Sequence, residues 1–404
     1  MNSLQRQVVF KDPIYGYIHV NYEFIKKLID TPLFQRLRRI RQLSGVVMVF
    51  HGAEHSRFSH SLGAYELANR FLEIIDVKNT FTFRESLLFI TSALLHDIGH
   101  GAYSHAFEDV FGVNHEHIGA EIIVSNKEIV DILDTIDEDF ASDIKSIILK
   151  THKFPIIEQF ISSQLDVDRM DYLERDAYFT GTAYGHIDID RIIRVLFIKE
   201  SKVVFKSNGI HAIENYLISR YHMYWQVYYH PVARAYEAVL EKIYLRVKDL
   251  IALNFHFDCD IDALKKIIIN PNDICAYTEI DDYYINGLIR YFIKSDDYYL
   301  KTLSLDFLNR NIWKRIDNVE ENKEKINEIL NTLDDEEKRY FTCTRTVSQG
   351  TYRDEGEKLG ENIYILLEDG TISTIRKESK IIESLMYSGV KSDPKFFYRK
   401  KNET

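Results

Sequence analysis

The chain of 404 residues carries 51 basic and 62 acidic side chains, giving a formal net charge of −11 at pH 7. This balance argues against broad binding to nucleic acid, which needs an extended basic face, but it permits a small anionic ligand at a local positive site. No apolar run reaches the ~18–20 residues that cross a membrane, and the N-terminus lacks an apolar signal region. Three widely spaced cysteines argue against a disulfide framework. Together these features predict a cytoplasmic protein.

Helical patterns dominate the chain up to about residue 335. In chain order they recur in NYEFIKKLID, in the almost wholly apolar ESLLFITSALLHDIGH, in HIGAEIIV and in a long aromatic run over 215–251. The pattern then alternates in YFTCTRTVSQGTYR and ENIYILLEDGTISTIRK, which contains the turn EDGT. We predict a mainly α protein: a helical core over 1–250, a helical extension over 251–335 and a small mixed α/β part with strands over 336–404.

Ionisable side chains are concentrated in three segments of the helical part. Histidines crowd residues 51–60, where a helix begins, and His96-Asp97 ends the apolar helix. The third segment, DVDRMDYLERD at 166–176, repeats carboxylates at spacings that share a helical face. Imidazole nitrogen and carboxylate oxygen suit zinc or a first-row transition metal, whereas magnesium prefers oxygen ligands. Buried carboxylates also need partners, so the three segments together predict a metal site.

These segments match the H…HD…D signature of the HD-domain phosphohydrolase superfamily, in the order His60, His96, Asp97 and Asp168. More narrowly, the chain resembles the deoxynucleoside triphosphate (dNTP) triphosphohydrolases related to the human sterile-alpha-motif and HD-domain enzyme. The resemblance rests on KDPIYGYIHV, IDTPLFQRLRRIRQLSG, HSRFSHSLGA, LLHDIGHGAYSHAFED, NHEH and DVDRMDYLERD. It implies an HD-domain helical core and metal-dependent hydrolysis of a dNTP to deoxynucleoside and triphosphate.

The resemblance also implies roles for individual positions. The implied metal ligands are His60, His96, Asp97 and Asp168. The ion would be Fe, Mn, Zn, Ni or Mg, with a further Mg²⁺ accompanying the nucleotide. The implied catalytic residues are His100, His105, Glu108, His115 and Glu116. The implied substrate-binding residues are Gln42, Leu43, Arg57, Arg169, Tyr172, Asp176, Arg220 and Tyr228.

Elementary chemistry agrees with these implied roles. A divalent metal lowers the pKa of a bound water and polarises a phosphoryl oxygen, and arginines offset the charge of the triphosphate. An imidazole held by a carboxylate suits proton donation to a sugar oxygen near neutral pH, so we expect Glu108 to orient His105 as that donor. Glu116 would similarly orient its neighbour His115. Tyr172 and Asp176 would hold the sugar 3′-hydroxyl.

A second nucleotide site is implied near the N-terminus. The residues that match an activating guanine-nucleotide site are Val9, Asp30, Gln35 and Arg38. Their presence implies a GTP or dNTP activator and a homo-oligomer, either a dimer or a tetramer. The arginine-rich run LRRIRQ at 37–42 is interpreted as a solvated or interface face rather than a nucleic-acid patch. His51 and His55 are interpreted as loop histidines without a ligand role.

Two other functions remain open at this point. The HD site could act on a different nucleotide, namely a monophosphate, a cyclic nucleotide or an alarmone. Alternatively, the chain could be a nucleotide-sensing assembly protein with little catalysis. Tyr172 with Asp176 favours a dNTP, since a 3′-hydroxyl held there leaves no room for a 3′-phosphate. The complete set of ligands and histidines favours catalysis.

Overall fold

A computed structural model describes residues 3–349, 362–387 and 391–400, without the side chains of residues 3–7, 105, 109, 349 and 391. The described chain is mainly helical, as the sequence predicts. Its helices are α1 (Glu23–Asp30), α2 (Pro32–Arg36), α3 (Arg57–Leu72), α4 (Ile75–Thr80), α5 (Phe83–Leu95), α6 (His105–Phe111), α7 (His115–Ser125), α8 (Lys127–Leu133), α9 (Phe140–Ile148), α10 (Pro155–Ile161), α11 (Val167–Thr180), α12 (Ile189–Val195), α13 (Ile210–Met223), α14 (Pro231–Ala252), α15 (Asp262–Ile269), α16 (Ile274–Glu279), α17 (Asp282–Phe292), α18 (Tyr298–Leu308), α19 (Lys323–Asn331), α20 (Asp335–Phe341), α21 (Ile375–Glu378) and α22 (Lys380–Tyr387). None of these helices is both long enough and apolar enough to span a lipid bilayer.

Short strands join the helices into three small sheets. The strands are β1 (Ser3–Asp12), β2 (Gly16–Tyr22), β3 (Leu196–Lys199), β4 (Lys202–Lys206), β5 (Lys314–Asp317), β6 (Thr342–Gln349), β7 (Tyr364–Leu366), β8 (Ile372–Thr374) and β9 (Lys391–Tyr398). Strands β1 and β2 form a hairpin, and the other sheets have the orders β3-β4-β7-β8 and β5-β9-β6. The strands predicted after residue 335 are confirmed as β6, β7 and β8. Strand β7 pairs with β4, and β6 pairs with β9, which also pairs with β5. The sequence showed no clear alternation for β4 or β5.

The apolar helix α5 forms the centre of the fold. Thr82 and Glu85 cap its first turn reciprocally, and every residue from Leu87 to Leu95 is buried. Helices α3 and α11 pack near one of its ends, and their close approach depends on Gly63. A Cβ atom there would lie 1.8 Å from Oδ1 of Asp171 on α11. The first turns of α3 and α11 therefore meet beside the end of α5.

The long aromatic run is divided where a π-helical turn, Tyr224–Tyr228, follows α13. Pro231 then begins α14, at a position where its missing N–H has no helical partner to lose. The sequence predicted helical spacing throughout the run over 215–251, but it did not predict the π-helical turn that divides it. The wider π turn interrupts the regular register, and such turns are frequent at functional sites.

Candidate metal centre and active-site cavity

Four side chains from three helices converge at the end of α5. His60 lies in the first turn of α3, Asp168 lies in the first turn of α11, and His96-Asp97 directly follows α5. Nε2 of His60 is 3.2 Å from Nε2 of His96 and 3.1 Å from Oδ1 of Asp168. Oδ1 of Asp97 is 3.4 Å from Nε2 of His96. The structure thus brings together all four side chains that were predicted as metal ligands.

The other nitrogen of each imidazole shows that this cluster fits a divalent cation. Nδ1 of His96 is 2.8 Å from the carbonyl oxygen of Ala93, and Nδ1 of His60 is 2.8 Å from Oδ2 of Asp171. Because these oxygens accept, each Nδ1 carries the hydrogen, and in the neutral ring each Nε2 presents a lone pair. Two facing lone pairs beside two carboxylates form a donor set that fits a positive ion between them. The mixed nitrogen and oxygen donors suit zinc or a transition metal.

The electrostatics of the cluster also favour a cation. Burial opposes the charged form of His60, but hydrogen bonds with Asp168 and Asp171 outweigh it and raise the pKa of His60 to about 10. Burial likewise opposes ionisation of Asp97, yet His96 and Arg57 hold the pKa of its carboxyl well below the usual range. The cluster therefore attracts positive charge even without a bound ion.

Asp171 and Arg175 support His60 from behind. Both are fully buried, and Arg175 donates from Nε and Nη2 to the two oxygens of Asp171, each at 2.9 Å. Arg175 Nη1 also donates to Oδ2 of Asp12 at 2.8 Å. A carboxylate behind a metal-binding histidine sets its tautomer and orientation. The helical spacing in DVDRMDYLERD indicated a shared face, but only the folded chain shows that Asp171 contacts His60.

The predicted catalytic histidines His100 and His115 stack beside the metal cluster. Their ring centroids are 3.8 Å apart and their planes differ by 16°. Nε2 of His100 is 3.2 Å from Oδ1 of Asp97, and burial, with Arg57 nearby, lowers the pKa of His100 to about 4. Gly99 allows this stack, because a Cβ there would lie 2.1 Å from the carbonyl oxygen of His115.

Glu108 is the carboxylate that lies beside this pair. Its Oε1 is 2.9 Å from Nδ1 of His115 and 3.2 Å from Nδ1 of His100. Glu116 instead lies at the surface, 3.0 Å from Nζ of Lys150, because adjacent helical residues point in different directions. The structure thus places Glu108, and not Glu116, against Nδ1 of His115. The side chain of His105 lies outside the described residues, so its pairing with Glu108 stays a prediction.

Arg57 is held between the metal cluster and a strained loop. Its Nη1 donates to Oδ2 of Asp97 at 2.5 Å, and its Nε donates to Oγ of Ser104 at 2.9 Å. Tyr103 and Ser104 have φ angles of 55° and 48°, which are unfavourable for side chains of this size. The buried carboxylate of Asp282 accepts from the Tyr103 N–H at 2.8 Å and stabilises this conformation. Such strain is often retained at functional sites.

A cavity of about 610 Å³ opens beside the metal cluster. Its lining residues are Gln42, Leu43, Ser44, Val46, Arg57, Asp97, His100, Ser104, His115, Asp168, Arg169, Tyr172, Asp176, Tyr224, Tyr228, Tyr229, Arg234, Glu237, Arg345, Thr346 and Val347. Seven of the eight predicted substrate-binding residues are among them. Arg220 is absent from this lining, and its Nη1 donates to Oε1 of Gln164 at 2.8 Å. Arg220 therefore lies behind the described wall of the cavity.

One wall of the cavity was not predicted. It comes from α14 and β6, and its charged members are Arg234, Glu237 and Arg345. Nη2 of Arg345 is 2.7 Å from Oε2 of Glu241, and its Nη1 is 3.3 Å from Oε2 of Glu237. Strand β6 begins more than 150 residues after the last metal ligand in the chain and carries no motif, so the sequence held no signal for this wall.

Two side chains near these segments, Arg36 and His55, are buried. Arg36 directly precedes the run LRRIRQ, and it donates to the carbonyl oxygens of Ile280 and His100 at 2.7 Å and 2.9 Å. A guanidinium has five donors and can satisfy several such carbonyls, so Arg36 is paired inside the protein while Arg38 of the run is exposed. His55 lies in a loop, as predicted, and its buried side chain contacts Asp176 at 2.8 Å.

The residues of the predicted activator site lie at the surface near α1 and α2. Arg38 covers the ring of Phe58 at 3.5 Å, and its Nε donates to Oε1 of Gln35 at 2.8 Å. Asp30 is more than half exposed and pairs with Lys26. Val9, on β1, is 43% exposed. These side chains are accessible, with Asp30 offering an acceptor and Arg38 a donor.

Comparisons with known proteins agree with this geometry. The family model "HD domain" matches residues 57–176, and "HD associated region" matches residues 187–349. The uncharacterized protein YwfO of Bacillus subtilis is 38% identical over 406 residues, covering 98% of this chain and 93% of its own. The crystal structure of a phosphohydrolase from Bacteroides thetaiotaomicron is similar, with a TM-score of 0.85 and 31% identity, covering 98% of this chain and 100% of that chain.

A more distant relative has a named activity. The deoxynucleoside triphosphate triphosphohydrolase SAMHD1 homolog of Dictyostelium discoideum is 32% identical over 258 residues, which are 59% of this chain and 49% of that protein. The helical fold and the His/Asp cluster define a metal-dependent phosphohydrolase. The chain belongs to the HD-domain phosphohydrolases with an HD-associated region.

Proposed function

We propose that the protein hydrolyses dNTPs to deoxynucleoside and triphosphate. The observation that carries this proposal is one cavity that contains both Asp97 and Asp168 of the metal cluster and the group formed by Tyr172, Asp176 and Tyr228. Its volume of about 610 Å³ is in the usual range for small-molecule sites. A phosphate chain suits the part of the cavity beside Asp97 and Asp168. A sugar with a free hydroxyl suits the part beside Tyr172, Asp176 and Tyr228.

The charges of the cavity support an anionic substrate. Arg57 and Arg169 line it beside the metal cluster, although the whole chain is acidic. Arg57 is already held by Asp97 and Ser104, so little side-chain freedom is lost when a phosphate binds. Guanidinium groups match phosphate oxygens in geometry as well as charge. A local positive site of this kind binds a triphosphate despite the net charge of −11.

The described residues can also move the proton that hydrolysis requires. A divalent ion at the His/Asp cluster would lower the pKa of a water and polarise a phosphoryl oxygen. His115 borders the cavity with Nδ1 against Glu108, so its other nitrogen can hold a proton for the departing sugar oxygen. Burial lowers the pKa of His100 to about 4, so its ring is neutral at pH 7 and is a poor proton donor. A neutral ring also does not repel the nearby Arg57. His105, as predicted from the sequence, is the second candidate for the proton donor.

Product analysis tests the proposal. Purified protein is incubated with each dNTP and Mn²⁺, Mg²⁺ or Fe²⁺, with and without GTP, and the released phosphate species are separated by ion-exchange chromatography. Intact triphosphate together with deoxynucleoside is the expected result, and Asp168→Asn is the inactive control. Parallel reactions contain a deoxynucleoside monophosphate, a cyclic nucleotide and an alarmone. Cleavage confined to one of these would contradict the proposal, and no cleavage at all would favour a nucleotide-sensing assembly protein.

We further propose that GTP or a dNTP binds near Asp30, Gln35 and Arg38 and favours a homo-oligomer. The exposed acceptor and donor groups of this surface support the proposal. Arg36, which lies within the same short stretch, bonds the carbonyl oxygen of His100 and so links this surface to the active site. Sedimentation with and without each nucleotide is expected to show ligand-dependent assembly that Arg38→Ala abolishes. Identical sedimentation and rates in every condition would refute activation.

A further inference from the structure

Each carboxylate oxygen of Asp176 has a hydrogen-bonding partner in the surrounding protein. The Tyr228 hydroxyl donates to Oδ2 at 2.7 Å, and Nε2 of His55 lies 2.8 Å from Oδ1. The carboxylate nevertheless lines the cavity. Since each carboxylate oxygen accepts more than one hydrogen bond, acceptor positions remain for a ligand. Asp176 is thus an oriented acceptor in the wall of the cavity.

His55 is itself held in a single orientation. Its ring stacks on Phe179, with centroids 4.5 Å apart and planes 16° apart, and its side chain is only 1% exposed. The loop reaches this place because Gly52 approaches the carbonyl oxygen of Phe179, where a Cβ would lie only 2.6 Å away. The backbone is fixed as well, since the Gln42 N–H donates to the carbonyl oxygen of His55 at 3.0 Å.

The protonation pattern of His55 follows from its neighbours. An ionised Asp176 only accepts, so Nε2 of His55 carries the hydrogen and donates. Nδ1 is buried and has no hydrogen-bond partner among the described residues. A hydrogen on Nδ1 would be a buried, unpaired donor, so the tautomer with its hydrogen on Nε2 is favoured. Among the described residues, Asp176 is therefore the hydrogen-bond partner of the His55 ring.

We propose that His55 is a positioning residue that aims Asp176 at the 3′-hydroxyl of the substrate sugar; this rests on the proposed function. With His55 and Tyr228 on its two oxygens, the carboxylate cannot rotate away from the cavity. It accepts from a ligand hydroxyl and repels an anionic group at the same place. The requirement for a free 3′-hydroxyl is thereby set by a histidine that lines neither the cavity nor the metal cluster.

The test compares a dNTP with its 3′-deoxy analogue (ddNTP) as substrates. A hydrogen bond to a charged group is expected to make the wild type prefer the dNTP about 10- to 100-fold in kcat/KM. His55→Phe keeps a ring on Phe179 but has no donor. It is expected to reduce this preference about 10-fold through a higher KM for the dNTP, with the ddNTP rates unchanged. His55→Gln restores a donor and should recover part of the preference.

Matched controls separate positioning from damage to the fold. His51→Phe, an exposed change in the same loop, should leave both substrates unaffected. Equal losses on dNTP and ddNTP in His55→Phe, or no change on either, would overturn the proposal. If the wild type cleaves no dNTP, the proposed function fails separately. Equilibrium binding of the two uncleaved nucleotides then makes the same comparison, and equal affinities in the wild type would overturn the role of His55.

Discussion

Asp171→Asn isolates the contribution of the carboxylate that lies behind His60, a candidate metal ligand. Oδ2 of Asp171 accepts from Nδ1 of His60 and from Nε of Arg175, and Oδ1 accepts from Nη2 of Arg175. An asparagine has one acceptor oxygen, so its amide N–H must face either His60 or Arg175, both of which donate there. The substitution conserves volume, but it removes the negative charge and breaks at least one hydrogen bond of a fully buried network.

Two quantities are expected to change. Loss of an orienting partner behind a metal-binding histidine typically lowers metal affinity about 10- to 100-fold, or about 1.4–2.7 kcal/mol. The free energy of unfolding should fall by about 3 kcal/mol, near the lower end for a broken buried ion pair, because Arg175 keeps Asp12 at 2.8 Å. Competition with a chelator measures the affinity, and urea unfolding measures the stability.

Glu174→Gln is the matched control, since Glu174 is also on α11 but contacts His186 near the surface, at 2.7 Å. It should leave metal affinity unchanged. The reasoning would be refuted if Asp171→Asn bound metal within about twofold of the wild type, where a loss of at least tenfold is expected.

Three further results are expected. His96→Ala and Asp97→Ala should each lose bound metal and hydrolysis while remaining folded; full occupancy by elemental analysis would contradict their assignment as ligands. Gly63→Ala should lower the free energy of unfolding by about 1–3 kcal/mol, because its Cβ forces α3 away from α11; unchanged urea unfolding would show that the helices adjust. Burial raises the pKa of Asp282 to about 6, so the folded state binds this proton more tightly than the unfolded state, and stability falls as pH rises from about 4 to 6. Between about pH 4 and 6 the free energy of unfolding of the wild type should therefore fall by about 3 kcal/mol more than that of Asp282→Asn. The same pH dependence of urea unfolding in both proteins would contradict this role of Asp282.

Features that depend on local spacing could be predicted from the sequence. Three features depend only on residues that are close in sequence: the apolar pattern of α5, the alternation of β6 and the turn between β7 and β8. The four candidate ligands His60, His96, Asp97 and Asp168 could be selected from the sequence for a related reason. Donor chemistry restricts the residue types that hold a metal, and their order in the chain matches a known signature.

Other features depend on contacts between distant segments, and only the tertiary structure decided them. Asp171 contacts His60 because Gly63 lets α3 and α11 approach, which no helical period indicates. The wall that contains Arg345 exists because β6 packs beside α14, far along the chain from the metal cluster. Glu108 rather than Glu116 lies against His115, and His55 is buried against Asp176, because burial depends on what surrounds a side chain and not on its neighbours in sequence. Residue types and spacing thus determined the chemistry available to this protein, while long-range packing decided which side chains hold one another in place.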